Sequence, residues 1–332
     1  LEKAKVPVAW VCDLSEDAAR PYAERFKARY TEDYMDIIRD PSVGVVVVAT
    51  ISSIHLSICL AAIEAGKAVI CEKTLAENAE DAHRIVTAAE KAGTIFYTSY
   101  MKRFIPAVAR AKELLPSLGK ITSTYIRAFQ CWGLQWDEVE ADSWVGAKAG
   151  QKSEIMKRYG GGILVCGGSH ILDLVGFFGG WPTRLFASMH IPKNTDLDIQ
   201  ATALLETPNG CVHYEAQAHR LNKIGFLKDG WDERIEINGE NGRLEIYSAA
   251  WDLVEHKASL LVHYDNATGA ATEYRYNPAS PFALAVAFFV ENIKAGKQGA
   301  QSRLTGYDVD ELIAHIKLSA REKRSVEIAG AI

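Results

Sequence analysis

No two of the six cysteines, Cys12, Cys59, Cys71, Cys131, Cys166 and Cys211, stand as a CxxC pair, and their spacing has no regularity. That excludes a disulfide framework and a Cys-type zinc site, and leaves reduced thiols of the kind a cytoplasmic protein carries. No apolar run is long enough to cross a bilayer, and the opening LEKAKVPVAW lacks the basic-then-apolar order of a signal peptide, so no membrane partner is expected. Positive charge is not in excess: the formal net charge is -5 and the pI is near 6.0. Without a basic field there is no reason to expect nucleic acid, and a small-molecule partner is favoured. Repeats and low-complexity segments are also missing, and no glycine precedes Asp13.

What is present is ordinary globular composition, 332 residues with 48% hydrophobic and 24% charged. That length accommodates roughly two cores of about 150 residues each. From Pro7 to Val86, short β-branched runs alternate with helical stretches, the pattern of a parallel sheet wrapped by helices. PVAWVCD predicts a buried strand ending in an acid. Ser15 predicts an N-cap, with Glu16 and Asp17 in the first turn, where the helix dipole favours acids. VGVVVVAT, Val43 to Thr50, shows no alternation and predicts a central strand buried on both faces.

After Gly119 the texture changes to longer alternating strands, which places a domain boundary near Leu118. The predicted fold is therefore a Rossmann-like, doubly wound α/β domain over 1–118. An α+β domain over 119–332 follows, built on a large, open, mainly antiparallel sheet. Pro208-Asn209-Gly210 predicts a tight hairpin between Asp198–Glu206 and Cys211–His219. Two helices, about Pro281 to Ala295 and Asp308 to Ala320, are predicted near the end of the chain.

Asp13 is the first residue with chemistry to offer. An acid closing this strand hydrogen-bonds the adenosine ribose in a dinucleotide-binding fold and repels the extra phosphate of NADP, which argues for NAD with NADP still possible. It reads equally well as an acid at the start of a helix. A glycine fingerprint belongs roughly 20 residues before such an acid. The loop that would cradle a pyrophosphate is therefore absent from the sequence, and a chain that truly began at Leu1 would be expected to bind nucleotide poorly. His213, Glu215, Gln217 and His219 share one strand face, but polar alternation is what an open sheet shows, and no metal is assigned. Of Trp132, Trp136 and Trp144, which could stack on a sugar, Trp144 is retained as a substrate-side candidate.

The stretch ATISSIHLSICLAAIEAGKAVICEKTLAENAEDA resembles the Gfo/Idh/MocA oxidoreductase family nearly position for position. That resemblance implies that Thr50, Ile51, Ser52 and His55, at the C-terminal end of a strand, contact a nicotinamide dinucleotide, as do Glu72 and Lys73. Lys73 is similar to the family lysine near the reacting carbon, where an ammonium stabilises alkoxide charge. Thr74 replaces the proline that commonly makes the peptide there cis, so a different loop is expected. YMKRFIPAVARAKELL resembles the next family segment and implies Met101 beside the nicotinamide and Lys102 beside the substrate. Arg103 and Phe104 read as structural.

GGGILVCGGSHILDL, Gly160 to Leu174, resembles the family's glycine-rich helix start, with His170 at the position of its histidine. Cys166 stands where the family commonly has an aspartate, and a thiol is a poor hydrogen-bond acceptor. On a continuous helix Cys166, His170 and Asp173 would share a face, and all three are substrate-side candidates. The activity implied is hydride transfer between a secondary alcohol of a cyclic sugar or polyol and NAD(P), with His170 as acid-base group and Lys73 as alkoxide stabiliser. Redox-assisted glycoside cleavage or epimerisation, and a non-catalytic nucleotide or sugar sensor, stay open beside it. The resemblance also implies a homo-oligomer, dimer or tetramer, joined through the second-domain sheet.

Overall fold

A computed structural model of the chain describes residues 1–2, 5–131, 161–192, 197–249 and 258–328. The chain forms two compact units: Leu1–Ser99 with Phe282–Tyr307, and Tyr100–Pro281 with Asp308–Ile332.

In the first unit, β1 (Trp10–Cys12) pairs in parallel with β2 (Arg29–Thr31), while β3 (Val45–Val48), β4 (Ala68–Cys71) and β5 (Phe96–Thr98) form a separate parallel sheet in that order. Helix α1 (Glu16–Phe26) starts as expected, the Ser15 hydroxyl accepting from the Ala18 amide. Helix α2 (Tyr34–Arg39) follows, and α3 (His55–Glu64) and α4 (Ala79–Ala92) bury Ile58, Cys59, Ala62, Ile85, Val86 and Ala89 against Val46, Val48, Val69 and Cys71.

β3 departs from the expectation that it is buried on both faces. Val47 is 45% exposed, because the α3–α4 layer covers the face carrying Val46 and Val48, and β3 ends the three-stranded sheet. The opposite face is filled at the β5 side, where Tyr97 stacks on Phe289 at 4.5 Å. The outer edge of β5 is closed by side-chain amides. Gln298 exchanges two hydrogen bonds with the Phe96 backbone at 3.0 and 2.7 Å, and Gln301 donates to the Thr98 carbonyl at 2.7 Å. Two glutamines thus satisfy backbone groups that an open strand edge would leave ready for pairing with another chain.

The second unit is a nine-stranded sheet. Its strands are β6 (Ile121–Gln130), β7 (Arg184–His190), β8 (Gln200–Thr207), β9 (Gly210–Ala218), β10 (Trp231–Gly239), β11 (Gly242–Ser248), β12 (Leu260–Asp265), β13 (Ala271–Arg275) and β14 (Val326–Glu327), arranged β13-β12-β11-β10-β6-β9-β8-β7-β14. Every pairing is antiparallel except β6 with β9. The expected hairpin closes at Thr207 and Gly210, with Gly210 at φ +97.

One sheet face is apolar and the other mixed, as the alternating burial of β8 and β9 records. The apolar face packs on α5 (Pro106–Leu114), α6 (Ser169–Gly179) and α8 (Thr305–Glu322) through Val108, Leu174, Phe178, Leu312 and Ile316. Helix α7 (Pro281–Lys294) carries Phe289 to the first unit.

Candidate active site

In the first unit the candidate residues gather at the C-terminal ends of the parallel strands, where open α/β sheets bind ligands. Asp13 follows β1 and is exposed, and one of its oxygens accepts from the Ser15 amide at 2.9 Å. The ribose-binding and helix-start readings of Asp13 are therefore compatible in one carboxylate, whose second oxygen takes no bond from Ser15.

Thr50 and Ile51 follow β3, and Ser52 begins a short 3-10 turn into α3. The Ser52 and Thr74 hydroxyls lie 3.2 Å apart. His55 is fully buried, its Nδ1 3.1 Å from the Leu75 carbonyl and its Nε2 3.1 Å from the Thr50 carbonyl. Burial holds its pKa below the ordinary histidine value. A neutral imidazole has a single N–H, so one of these carbonyls is bonded at a time. With its proton on Nδ1, His55 ties the loop after β3 to the Leu75 carbonyl in the loop after β4.

Glu72 follows β4, and its Oε2 accepts from the Lys73 amide at 3.3 Å. Burial pushes the Glu72 carboxyl up, against the opposing pull of the Lys73 charge. The Lys73–Thr74 peptide is cis although Thr74 is not a proline, so the expectation of a different loop is corrected at that bond.

In the second unit, the 3-10 turn Met101–Phe104 is buried at Met101 and Lys102. The Lys102 ammonium donates to Glu233 Oε2 on β10, and the other oxygen of that carboxylate accepts from Gln130 Nε2 on β6 at 2.7 Å. Arg103 makes a two-pronged pair with Asp173 of α6, at 2.7 and 2.6 Å, with Asp173 completely buried. The Tyr100 ring meets the His170 ring edge-on at 5.9 Å. Residues 100–103 therefore touch α6 beside its histidine and one turn further on.

The glycine-rich run ahead of α6 packs closely on β6, β9 and Asp198. A Cβ on Gly162 would overlap the Asp198 backbone, one on Gly167 the Gln130 amide, and one on Gly168 the Tyr214 hydroxyl. Asp198 caps the start of the run, accepting from the Gly162 amide at 2.8 Å and the Leu164 amide at 2.7 Å. Leu164–Gly168 is a π-helical turn. Cys166 thus sits in a wider turn than α6, which carries His170 and Asp173. Asp173 directs both oxygens to Arg103, whereas His170 lies against Tyr100.

Trp144 lies outside the described residues, as do Trp132 and Trp136. On the mixed sheet face His213 stacks on Tyr125 at 4.4 Å, and Glu215 accepts from Gln200 at 3.0 Å. Among the described residues no cluster of three His, Cys, Asp or Glu side chains could hold a metal, and no helix is long and apolar enough to cross a membrane.

The motifs do not single out Glu233, Gln130, Asp198 or Asp308, whereas Arg103, expected to be structural, makes a buried ion pair. A signal existed for two of them. Glu233 shares the inward face of β10 with Ile235 and Ile237, and Gln130 that of β6 with Ile126 and Ala128. Polar side chains in an otherwise apolar period-2 series need partners.

The family description "Oxidoreductase family, NAD-binding Rossmann fold" matches residues 2–100, and "GFO/IDH/MocA C-terminal domain" matches residues 109–245. The chain is 24% identical to a myo-inositol 2-dehydrogenase of Thermotoga maritima, over 97% of this chain and 91% of that protein. It is 31% identical to an inositol 2-dehydrogenase 2 of Saccharopolyspora erythraea, over 73% and 66% respectively. A levoglucosan dehydrogenase of Pseudarthrobacter phenanthrenivorans is 34% identical, but that match spans 30% of the relative's length. A solved structure of levoglucosan dehydrogenase with NADH and levoglucosan has the same fold, with a TM-score of 0.81 at 22% identity over 98% of this chain and 92% of that one.

Asp308 gives this region a pH dependence. It is buried near the Arg103–Asp173 pair and is pushed up to about 7, chiefly by burial and then by the Glu311 charge. An acid whose folded pKa is raised stabilises the fold fully below its unfolded value of about 4 and loses that contribution as pH rises toward 7. Asp308 should therefore tilt denaturant midpoints downward between about pH 4 and 7, and Asp308→Asn should remove that tilt, so that the variant's midpoint gains on that of wild type as pH rises. Equal slopes in urea titrations of the two proteins would rule this out.

Proposed function

The chain belongs to the Gfo/Idh/MocA oxidoreductase family, and from that premise we propose that it reversibly oxidises a secondary alcohol of a cyclic sugar or polyol with NAD. The observation carrying this reading is the Glu72-Lys73 pair at the end of β4, in a chain similar along 97% of its length to a myo-inositol 2-dehydrogenase.

When bound, the nicotinamide supplies a hydride acceptor. Thr50, Ile51, Ser52, His55, Glu72, Lys73 and Met101 are assigned to its binding. The fit rests on strand-end loops that His55 and the Ser52–Thr74 contact fasten to each other. His170 takes the hydroxyl proton of the substrate alcohol, and the Lys73 ammonium hydrogen-bonds the oxygen as negative charge grows there. Because a thiol replaces the usual carboxylate and Asp173 bonds Arg103, these two residues carry the proton and charge handling, with Cys166 a small neutral group on the substrate side. Lys102 and Trp144 complete that side, and Asp173 enters it through the guanidinium it holds.

Lys73→Ala should lower kcat for the best polyol by about a hundredfold or more, the size of effect expected on removing a charge-stabilising group, with NADH binding retained. Unchanged turnover would remove Lys73 from the mechanism.

Asp13, exposed at the end of β1, favours NAD by repelling the 2′-phosphate of NADP. Steady-state kinetics should show a higher kcat/KM with NAD, and Asp13→Ser should narrow the ratio about tenfold, equivalent to ~1.4 kcal/mol. A ratio indifferent to this substitution would leave Asp13 as a helix-start acid only.

The chain is assigned to the cytoplasm, in keeping with six free cysteines, and to a homo-oligomer, dimer or tetramer, joined through the mixed face of the sheet. Tyr125, Phe186 and Leu204 are 47%, 48% and 43% exposed there, an apolar patch that solvent disfavours. Sedimentation velocity should show a dimer or tetramer that Phe186→Asp dissociates; a wild-type monomer at micromolar concentration would refute the assembly.

A further inference from the structure

The turn Met101–Phe104 offers two cations in succession, and each meets a buried carboxylate. Arg103 is held by both oxygens of Asp173, and Lys102 by one oxygen of Glu233, whose other oxygen is held by Gln130. Lys102 is 1% exposed and Glu233 6%, so their charges cancel in a poorly solvated place, where a charge left over would be felt over several ångströms. Glu233 lies on the inward face of β10, and Gln130 packs against Gly167, in the π-helical turn just ahead of α6 and His170.

We propose that Glu233 is a specificity-determining residue: by neutralising Lys102 it sets the substrate side for uncharged sugars and polyols and excludes sugar acids. The inference rests on the reading above that Lys102 belongs to the substrate side. With Lys102 1% exposed and already hydrogen-bonded, a substrate carboxylate on that side finds no free cation, and a pair of zero net charge does not offset the loss of the carboxylate's own water. A neutral hydroxyl meets no net charge and displaces nothing. The pair therefore rejects an anion by occupying the cation that would attract it, a cost set against the wrong ligand of the kind that specificity commonly requires. A purely structural role for the pair, fastening the turn to β10, would make no distinction between a neutral ligand and an acid.

The test uses the intact chain loaded with NADH and two ligand pairs that differ in one group, galactose with galacturonate and glucose with glucuronate. Binding is read by calorimetry in mildly acidic buffer, and turnover with NAD by absorbance. Wild type should favour the neutral member of each pair by at least about tenfold, the range of discrimination that one close charge pair supplies. Glu233→Gln, which keeps the shape of the side chain, should raise uronate affinity by about tenfold or more, and Lys102→Met added to it should abolish that gain.

Equal affinity of wild type for acid and neutral sugar would overturn the proposal, as would a folded Glu233→Gln protein that keeps the wild-type preference. Should Glu233→Gln not fold, Lys102→Met alone decides: it leaves the Glu233 charge uncompensated and should deepen the bias against uronates, and an unchanged bias overturns the proposal. Neutral sugars turned over with no bias against acids would sink this inference and leave the dehydrogenase reading standing. The expected binding pattern with no turnover of these sugars or of myo-inositol would do the reverse, and failure of wild type to bind any of the four sugars would overturn this inference.

Discussion

Lys102 and Arg103 are adjacent cations on a short turn, and neither ends in water. Transferring a charge out of water costs several kcal/mol unless a partner and further hydrogen bonds recover it. That requirement determines where the turn can rest: Arg103 must reach Asp173 on α6, and Lys102 must reach Glu233 on β10. Gln130 then completes the Glu233 carboxylate, so the end of β6 is drawn in as well. Around these pairs, Tyr100 comes to lie against His170, the residue to which the chemistry is assigned. Gly162, Gly167 and Gly168 add a steric constraint of their own, since side chains there would collide with the Asp198 backbone, Gln130 and Tyr214.

The first unit meets a similar problem with neutral groups. Loops after parallel strands leave backbone carbonyls that need partners, and a ligand site requires those loops to hold their shape. His55 lies within hydrogen-bond reach of two such carbonyls, one on each loop, and its neutral ring, favoured by burial, donates to one of them. The Ser52 and Thr74 hydroxyls add a second link between the same loops. The segment that bears Lys73 is thus fastened by residues whose side chains bond to protein, while Asp13, at the end of β1, stays exposed.

Much of this was legible in the sequence, for reasons that differ by element. The Ser15 cap and the hairpin at Pro208-Asn209-Gly210 are local effects, settled by a few neighbouring atoms, although the turn proper is Pro208-Asn209 and only Gly210 takes a positive φ. VGVVVVAT misled because an unbroken apolar run reports only that a strand is hydrophobic. Whether both faces are covered depends on helices elsewhere in the chain, and Val47 is left open. The Leu164–Gly168 π turn is invisible to counting by fours, since a widened turn follows from packing on β6 and β9. Arg103, expected to be structural, is held in a buried ion pair whose partner, 70 positions away, no local pattern could name. Glu233 could have been found, since a carboxylate in step with Ile235 and Ile237 points into a core that cannot accept it alone.

The replacement at Cys166 is coherent with this charge arrangement. A carboxylate at that position would add a negative charge in the π-helical turn next to Gly167, against which the Gln130 amide that bonds Glu233 already packs, and four residues ahead of His170. A thiol, normally neutral, adds none and asks for no cation. Lys102 and Arg103 are each held by one carboxylate, so the second unit meets its own charges without help from residue 166. The imidazole of His170, proposed as the acid-base group, thus belongs to a unit in which the cations of the Met101–Phe104 turn are already matched, and the positive charge proposed for the growing alkoxide is that of Lys73.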